Sequence, residues 1–114
     1  MAEGNGMNEN EFVVVLCTAG PGEAEKMAES LVRERLAACV NTSQVRSCYI
    51  WDGRLNWDGE MLLIIKTAAG QVEAIKKRII ELHSYAVPEI IVLPIIDGSP
   101  AYLEWVRSSV KSAP

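Results

Sequence analysis

Hydrophobic and polar positions in the first third of the chain follow two different periods. A continuous apolar run within residues 11–19 predicts a strand that is covered on at least one face. After the breaker Gly20-Pro21-Gly22, apolar residues recur at i, i+3, i+4, i+7 and i+8, which predicts one buried helix face over residues 23–35. Acidic residues in the first turn and arginines near the end suit the helix dipole. The pattern therefore predicts a strand followed by a helix.

The remaining pattern predicts a long hairpin, a second helix, a last strand and a short closing helix. Strand character over residues 37–51 and 55–67 is interrupted by the hairpin signal Asp52-Gly53, and we expect a bend or bulge at residues 41–44. The other segments are a helical stripe over residues 69–82, an apolar strand over residues 89–96, and Ser99 and Pro100 as a helix start. This order predicts an α+β fold, the ferredoxin-like βαββαβ sandwich with a long hairpin between its second and third strands.

Composition limits the classes of partner and the compartment. The length suits a single domain over residues 11–112, and we expect the polar residues 1–10 to form a disordered N-terminal lead. A net charge of -4 argues against nucleic acid and anionic membranes as partners. Cys17, Cys39 and Cys48 are an odd number of cysteines without CxxC spacing, which is typical of a reducing compartment. We therefore expect a cytoplasmic protein.

The only histidine, His83, lies between the second helical pattern and the last strand, which opens at Glu89. An imidazole there can ligate a metal, and it can equally cap the negative end of the helix. In the expected fold, Cys17 at the end of the first strand lies near the same loop. A thiolate, an imidazole and a carboxylate together favour copper or zinc. Cys17 is either a ligand or a small buried residue, and Glu60 either lines a site or lies at a solvated strand edge.

Large aromatic residues crowd the predicted hairpin. Tyr49, Trp51 and Trp57 lie near its tip, and an isolated two-stranded ribbon is marginally stable in water. Because Trp and Tyr are enriched in interfaces, we expect these side chains to pack against another copy of the chain, with core packing as the alternative. The sequence contains none of the Gly-x-Ser-x-Gly, Gly-x-x-x-x-Gly-Lys or His-Glu-x-x-His patterns, so we do not expect an enzyme.

Six motifs follow one another in order over nearly the whole chain, from residue 11 to residue 110. They are Cys17-Thr18-Ala19, Glu34-Arg35-Leu36-Ala37-Ala38-Cys39-Val40-Asn41, Tyr49-Ile50-Trp51-Asp52-Gly53, Ile65-Lys66-Thr67, His83-Ser84-Tyr85-Ala86-Val87-Pro88-Glu89-Ile90-Ile91 and Tyr102-Leu103-Glu104-Trp105. Together these motifs resemble the CutA family, the divalent-cation tolerance proteins.

The resemblance implies a PII-like homotrimer with interlocking hairpins and a role in tolerance to divalent metals, especially copper. The family's copper-binding residues fall on Cys17 and His83, and Glu60 and Glu89 match acidic positions near the same cleft between subunits. This chain has Leu82 where some members carry a second histidine, which removes one good ligand for copper or zinc.

Two other functions are compatible with the same residues. One is a small-molecule sensor in which the cleft between subunits holds an anion or nucleotide, contacted by Lys66, Arg35 or the Gly20-Pro21-Gly22 turn. The other is a structural or anchoring trimer that docks an unidentified protein partner. The leading hypothesis is a non-enzymatic homotrimer that binds a divalent metal.

Overall fold

The computed structural model describes residues 11–112, so the predicted N-terminal lead lies outside the described residues. The element order confirms the predicted α+β, ferredoxin-like fold with its closing helix. The elements are β1 (Phe12–Ala19), α1 (Pro21–Arg33), β2 (Cys39–Trp51), β3 (Arg54–Ala68), a 3₁₀ turn (Ala69–Gln71), α2 (Val72–Leu82), β4 (Ile91–Pro94) and α3 (Pro100–Ser109).

The four strands form one antiparallel sheet in the order β2-β3-β1-β4. The first and last strands are neighbours, with Leu16 opposite Ile91. Helices α1 and α2 pack on one face of this sheet. Alternate residues of β1, such as Val15 and Cys17, point into that core and are fully buried together with Met27 of α1. The end of β1 is therefore held rigidly beneath both helices.

A predicted bulge and several predicted boundaries differ from the structure. The bulge predicted at residues 41–44 is wrong, because every residue of β2 from Cys39 to Trp51 faces exactly one residue of β3. Helix α1 begins earlier than predicted, at Pro21, since the first helical position needs no N–H donor. Strand β4 is limited to the four residues Ile91–Pro94, shorter than the predicted strand over residues 89–96.

Residues 45–60 of β2 and β3 form a projecting hairpin arm. Strand β1 ends opposite Met61, so the arm is a ribbon of only two strands within the described chain. Its turn is the predicted one, and the positive φ angles of Asp52 (54°) and Gly53 (76°) match a type I′ hairpin. Trp51 is 72% exposed and Trp57 is 56% exposed. The arm therefore presents its large aromatic side chains outward.

The turn of the hairpin arm depends on glycine at position 53. We expect Gly53→Ala to lower the free energy of unfolding by about 1 kcal/mol, because a Cβ is disfavoured at positive φ. The matched control is Gly59→Ala in the same arm, where an added Cβ meets open space and we expect a neutral or slightly stabilising effect. Urea denaturation of both variants checks this, and equal effects would contradict it.

Candidate functional site

The imidazole of His83 is buried at the junction of α2, β1 and the loop that leads to β4. The backbone N–H of His83 caps α2 by donating to the carbonyl of Ile79 at 2.8 Å. The ring turns away from the helix, and its side chain has no exposed surface. Its Nε2 lies 2.7 Å from the carbonyl oxygen of Thr18, and its Nδ1 lies 3.0 Å from the backbone N–H of Tyr85. The carbonyl requires a donor and the N–H requires an acceptor, so the two contacts together suit the tautomer that carries its proton on Nε2.

Cys17 lies beside this histidine, under the helices. Its Sγ lies 3.7 Å from the same Thr18 carbonyl oxygen that His83 contacts. Burial is the main cause that raises the pKa of the Cys17 thiol to about 12, and the negative charges of Glu89, Glu23 and Glu60 contribute to this rise in that order. The group is therefore a protonated thiol at neutral pH. A metal ion would have to displace that proton to bind the sulfur.

Two glutamates are joined to the His83 loop by hydrogen bonds. The carboxylate of Glu60 accepts from the hydroxyl of Tyr85 at 3.0 Å and from the hydroxyl of Ser47 at 2.7 Å. The carboxylate of Glu23, in the first turn of α1, accepts from the backbone N–H of Ser84 at 3.0 Å and from its hydroxyl at 3.2 Å. These bonds connect α1, the arm and the loop around one imidazole.

The structure brings the predicted site residues to one end of the sheet. Cys17 and His83 share a carbonyl acceptor, and Glu60 reaches the same loop through Tyr85. Glu89 is exposed, and its charge acts on the Cys17 thiol. Within residues 11–112, no group of three or more His, Cys, Asp or Glu side chains is arranged to hold a metal ion. One chain thus supplies part of a ligand set.

The sequence reasoning missed two residues that contact the imidazole. Glu23 has an oxygen 3.5 Å from Nδ1 of His83, although the sequence indicated only a first-turn acid of α1. Tyr85 donates its N–H to Nδ1 and packs its ring against the imidazole with centroids 4.5 Å apart. Tyr85 lies only two residues after the histidine, so its closeness in the sequence could have indicated this contact. Glu23 lies sixty positions away, and no spacing rule connects it to the site.

The cationic residues of the sensor hypothesis do not meet within one chain. Lys66 is opposite Val14, in the half of β1 remote from the Gly20-Pro21-Gly22 turn. The guanidinium of Arg35 donates to the carbonyls of Ser108 at 3.2 Å and Ser109 at 3.3 Å, which caps the C-terminal end of α3. Arg35 therefore has a structural task at the other end of the molecule.

Raising the pH above about 9 is expected to destabilise the protein through Cys17. The pKa of this thiol is raised from 9.0 to about 12, so the native state keeps a proton that the unfolded chain releases. The free energy of unfolding then falls by up to about 1.4 kcal/mol per pH unit above the unfolded pKa. Urea denaturation of the wild type and of Cys17→Ala, compared across this range, should show the wild type losing stability faster. A difference in the free energy of unfolding between the two proteins that stays constant with pH would contradict the raised pKa of Cys17.

Fold and site together define a class: a small ferredoxin-like protein with a long hairpin arm and with imidazole, thiol and carboxylate groups at one end of its sheet. The sequence profile described as "CutA1 divalent ion tolerance protein" matches residues 12–109. The chain therefore belongs to the CutA1 divalent ion tolerance family.

Relatives and solved structures agree with this membership. The Divalent-cation tolerance protein CutA of Thermus thermophilus is 42% identical over 100 residues, which cover 87% of this chain and 97% of that protein. The chloroplastic Protein CutA of Arabidopsis thaliana is 44% identical over 88% of this chain, which spans only 56% of that longer protein. The crystal structure of CutA1 from Oryza sativa superposes with a TM-score of 0.86 at 39% identity, covering 89% of this chain and 94% of that one.

The names of similar proteins refer to more than one cellular compartment. The Arabidopsis relative is named chloroplastic, and a similar structure from Archaeoglobus fulgidus, at 31% identity and a TM-score of 0.85 over 88% of this chain and 99% of that one, is titled periplasmic. Among residues 11–112, no helix is both long and apolar enough to cross a bilayer. The cytoplasmic location stays a prediction.

Proposed function

We propose that this protein is a non-enzymatic, cytoplasmic homotrimer that binds a divalent metal cation, copper above all, in the response to metal ions. The observation that carries the proposal is the convergence of the single imidazole, a thiol and carboxylates at the end of β1. Imidazole and thiolate are ligands that copper and zinc prefer over magnesium and calcium. His83 is the central ligand of the proposed site.

The charge around His83 favours a cation. The carboxylates of Glu23, Glu60 and Glu89 all act on the Cys17 thiol and oppose its ionisation. The same negative field attracts a metal ion, and a metal charge would in turn lower the pKa of the thiol. Cys17, Glu60 and Glu89 are therefore proposed as the residues that help His83 hold the ion.

A homotrimer is supported by two uncovered apolar surfaces. The first is the hairpin arm, whose tip exposes Trp51 and Trp57. The second is the sheet face opposite α1 and α2, where Ile91 and Leu93 of β4 lie beside Leu16 and Val14 and are nearly half exposed. Apolar patches of this kind mark interaction sites. Packing of three copies would cover both surfaces and bring residues of neighbouring chains toward the incomplete ligand set.

A Cu(II) titration of the wild type and of His83→Gln tests the metal site. Glutamine retains an N–H that can reach the Thr18 carbonyl, and it lacks the nitrogen lone pair that ligates a metal. We expect micromolar binding in the wild type by calorimetry, with nitrogen coupling in the electron paramagnetic resonance spectrum, and at least tenfold weaker binding in the variant. Light scattering on the same samples should give the mass of three chains for both.

Two outcomes would contradict the proposal. Equally weak binding to the wild type and to His83→Gln would leave His83 a structural residue that caps α2 and supports Thr18. A mass of one chain for the wild type in light scattering would contradict the proposed homotrimer.

A small-molecule sensor is the second candidate, favoured by a cavity of about 440 Å³ between the start of α1 and the arm. Its lining includes Pro21, Gln44, Arg46 and Glu60, so it offers donors and acceptors beside apolar surface. A ligand of the native state raises the melting temperature by mass action. Thermal shifts with nucleotides and small anions, compared between the wild type and Arg46→Ala, test this candidate. If none of these ligands raises the melting temperature, the small-molecule sensor is excluded.

A further inference from the structure

We propose that α3 and the segment after it form a cover that opens as a unit and is held closed over Phe12 by Gln71 and Arg35. The segment after α3 is residues 110–112, called the strap, and it begins with extended backbone at Val110. Such a cover requires neither a bound metal ion nor a fixed number of chains, so it goes beyond the function proposed above.

Gln71 holds the strap from the inside of the protein. Its side chain belongs to a residue that is 1% exposed, and its Nε2 donates to the backbone carbonyl of Lys111 at 2.6 Å. Within residues 11–112, this is the only hydrogen bond of the Gln71 side chain. Burial of an amide is unfavourable unless the amide is hydrogen-bonded. The closed strap therefore supplies the bond that a glutamine at this buried position needs.

Arg35 holds the strap and the end of α3 from the outside. Its backbone carbonyl accepts from the N–H of Lys111 at 2.9 Å, and its guanidinium donates to the carbonyls of Ser108 and Ser109. The last carbonyls of a helix have no partner inside the helix, so these bonds satisfy them. One residue beyond the end of α1 thus ties down both parts of the cover.

The apolar contacts beneath α3 are separate from the main core. Val106 is the buried residue of α3, and it packs with Phe12 and Ala38. Phe12 points to the opposite face of β1 from the core residues that lie under α1 and α2. In comparison, α1 buries three residues in the main core and α2 buries two. An element with few buried apolar contacts opens at a lower free energy than the rest of a domain, so α3 is expected to open first.

Opening of the cover would enlarge the apolar face of the sheet. Phe12, Val14 and Leu16 follow one another on one face of β1, and Val14 and Leu16 are only partly buried. Phe12 is buried beneath Val106 and beneath the guanidinium of Arg107, whose central carbon lies 4.9 Å from the ring centroid. The cover therefore controls how much apolar surface β1 offers to another copy of the chain.

Hydrogen exchange of the backbone amides tests the cover in the full, metal-free chain at a fixed protein concentration. In the wild type, we expect protection factors at least about tenfold lower for the amides of residues 104–109 and Lys111 than for the hydrogen-bonded amides of α1. Because no metal is present, this result does not depend on the proposed metal site. Equal protection of α1 and α3 would overturn the inference.

Two substitutions test the residues that hold the cover closed. Gln71→Ala removes the buried donor, and Arg35→Asn removes the guanidinium with a residue that tolerates the φ of 60° at this position. We expect each variant to lower the protection of α3 and of Lys111 at least about tenfold and that of α1 less than twofold. The matched control, Gln44→Ala, removes an exposed glutamine side chain on β2 and should change neither.

The fluorescence of 8-anilinonaphthalene-1-sulfonate, a dye that binds exposed apolar surface, tests the consequence of opening. We expect the fluorescence of Arg35→Asn to be at least about twofold higher than that of Gln44→Ala, because an open cover exposes Phe12.

Three outcomes would contradict the cover. Equal loss of protection in α1, α2 and α3 would show that Gln71 and Arg35 stabilise the whole domain. Unchanged protection of α3 in Arg35→Asn would overturn the inference even if Gln71→Ala fails to fold. Unchanged dye fluorescence in a variant that has lost the protection of α3 would show that the cover does not control the apolar face.

Discussion

Aspartate in place of both Trp51 and Trp57 is expected to dissociate the proposed homotrimer into single chains. Both indoles lie on the hairpin arm and are more than half exposed in the single chain. The burial of a large side chain stabilises an association by about 1.5–3 kcal/mol, and each trimer would lose six such contributions. Six added carboxylates would also repel one another on an already acidic protein.

Light scattering measures this effect as a fall in mass to that of one chain, 12.5 kDa. The matched control is Ile80→Asp, which places the same charge at an exposed apolar position on α2, away from the arm and from the uncovered sheet face. We expect this control to keep the mass of three chains. A double variant that remains a trimer would contradict the role of the arm, and dissociation of the control would show that the α2 surface is the contact.

His83→Ala is expected to lower the free energy of unfolding by about 2–4 kcal/mol in metal-free buffer. Removal of a fully buried ring leaves a cavity between α2 and β1. It also removes the 2.7 Å donor from the buried Thr18 carbonyl. Denaturation with a chelator present, at one fixed protein concentration, measures the structural contribution of the imidazole apart from any metal.

His83→Gln and Tyr85→Phe are the controls for this loss. Glutamine restores a donor for Thr18, so His83→Gln should recover at least half of the lost stability. Tyr85→Phe retains the backbone N–H and the ring packing, and removes only a partly exposed hydroxyl bond to Glu60, so we expect less than 1 kcal/mol. A loss below 1 kcal/mol for His83→Ala would contradict the structural role.

The structural role of His83 changes how variants of this residue should be interpreted. Loss of metal tolerance in His83→Ala can follow from a destabilised chain, because one or two kcal/mol is a large fraction of the stability of a small domain. His83→Gln removes the proposed ligand nitrogen with less damage to packing. This variant is therefore the informative one for function.

The sequence by itself determined the element order and the location of the candidate chemistry. Apolar periods specify strands and helices locally, and Asp52-Gly53 and Ser99-Pro100 encode their turn and cap through their own backbone preferences. The single histidine at the end of a helical pattern indicated the loop. These signals depend only on residues that are neighbours in the chain, so they can be recognised in a single sequence.

Only the tertiary structure decided which atoms meet at that loop. The pairing of β1 with both β3 and β4, under α1 and α2, brings Thr18 to Nε2 of His83 and Glu23 to Nδ1. These contacts join residues more than fifty positions apart. Their distances depend on how helices pack on the sheet, since no local preference of the chain specifies a long-range contact. For the same reason the protonated Cys17 thiol, whose pKa is raised by burial, follows from packing and not from spacing.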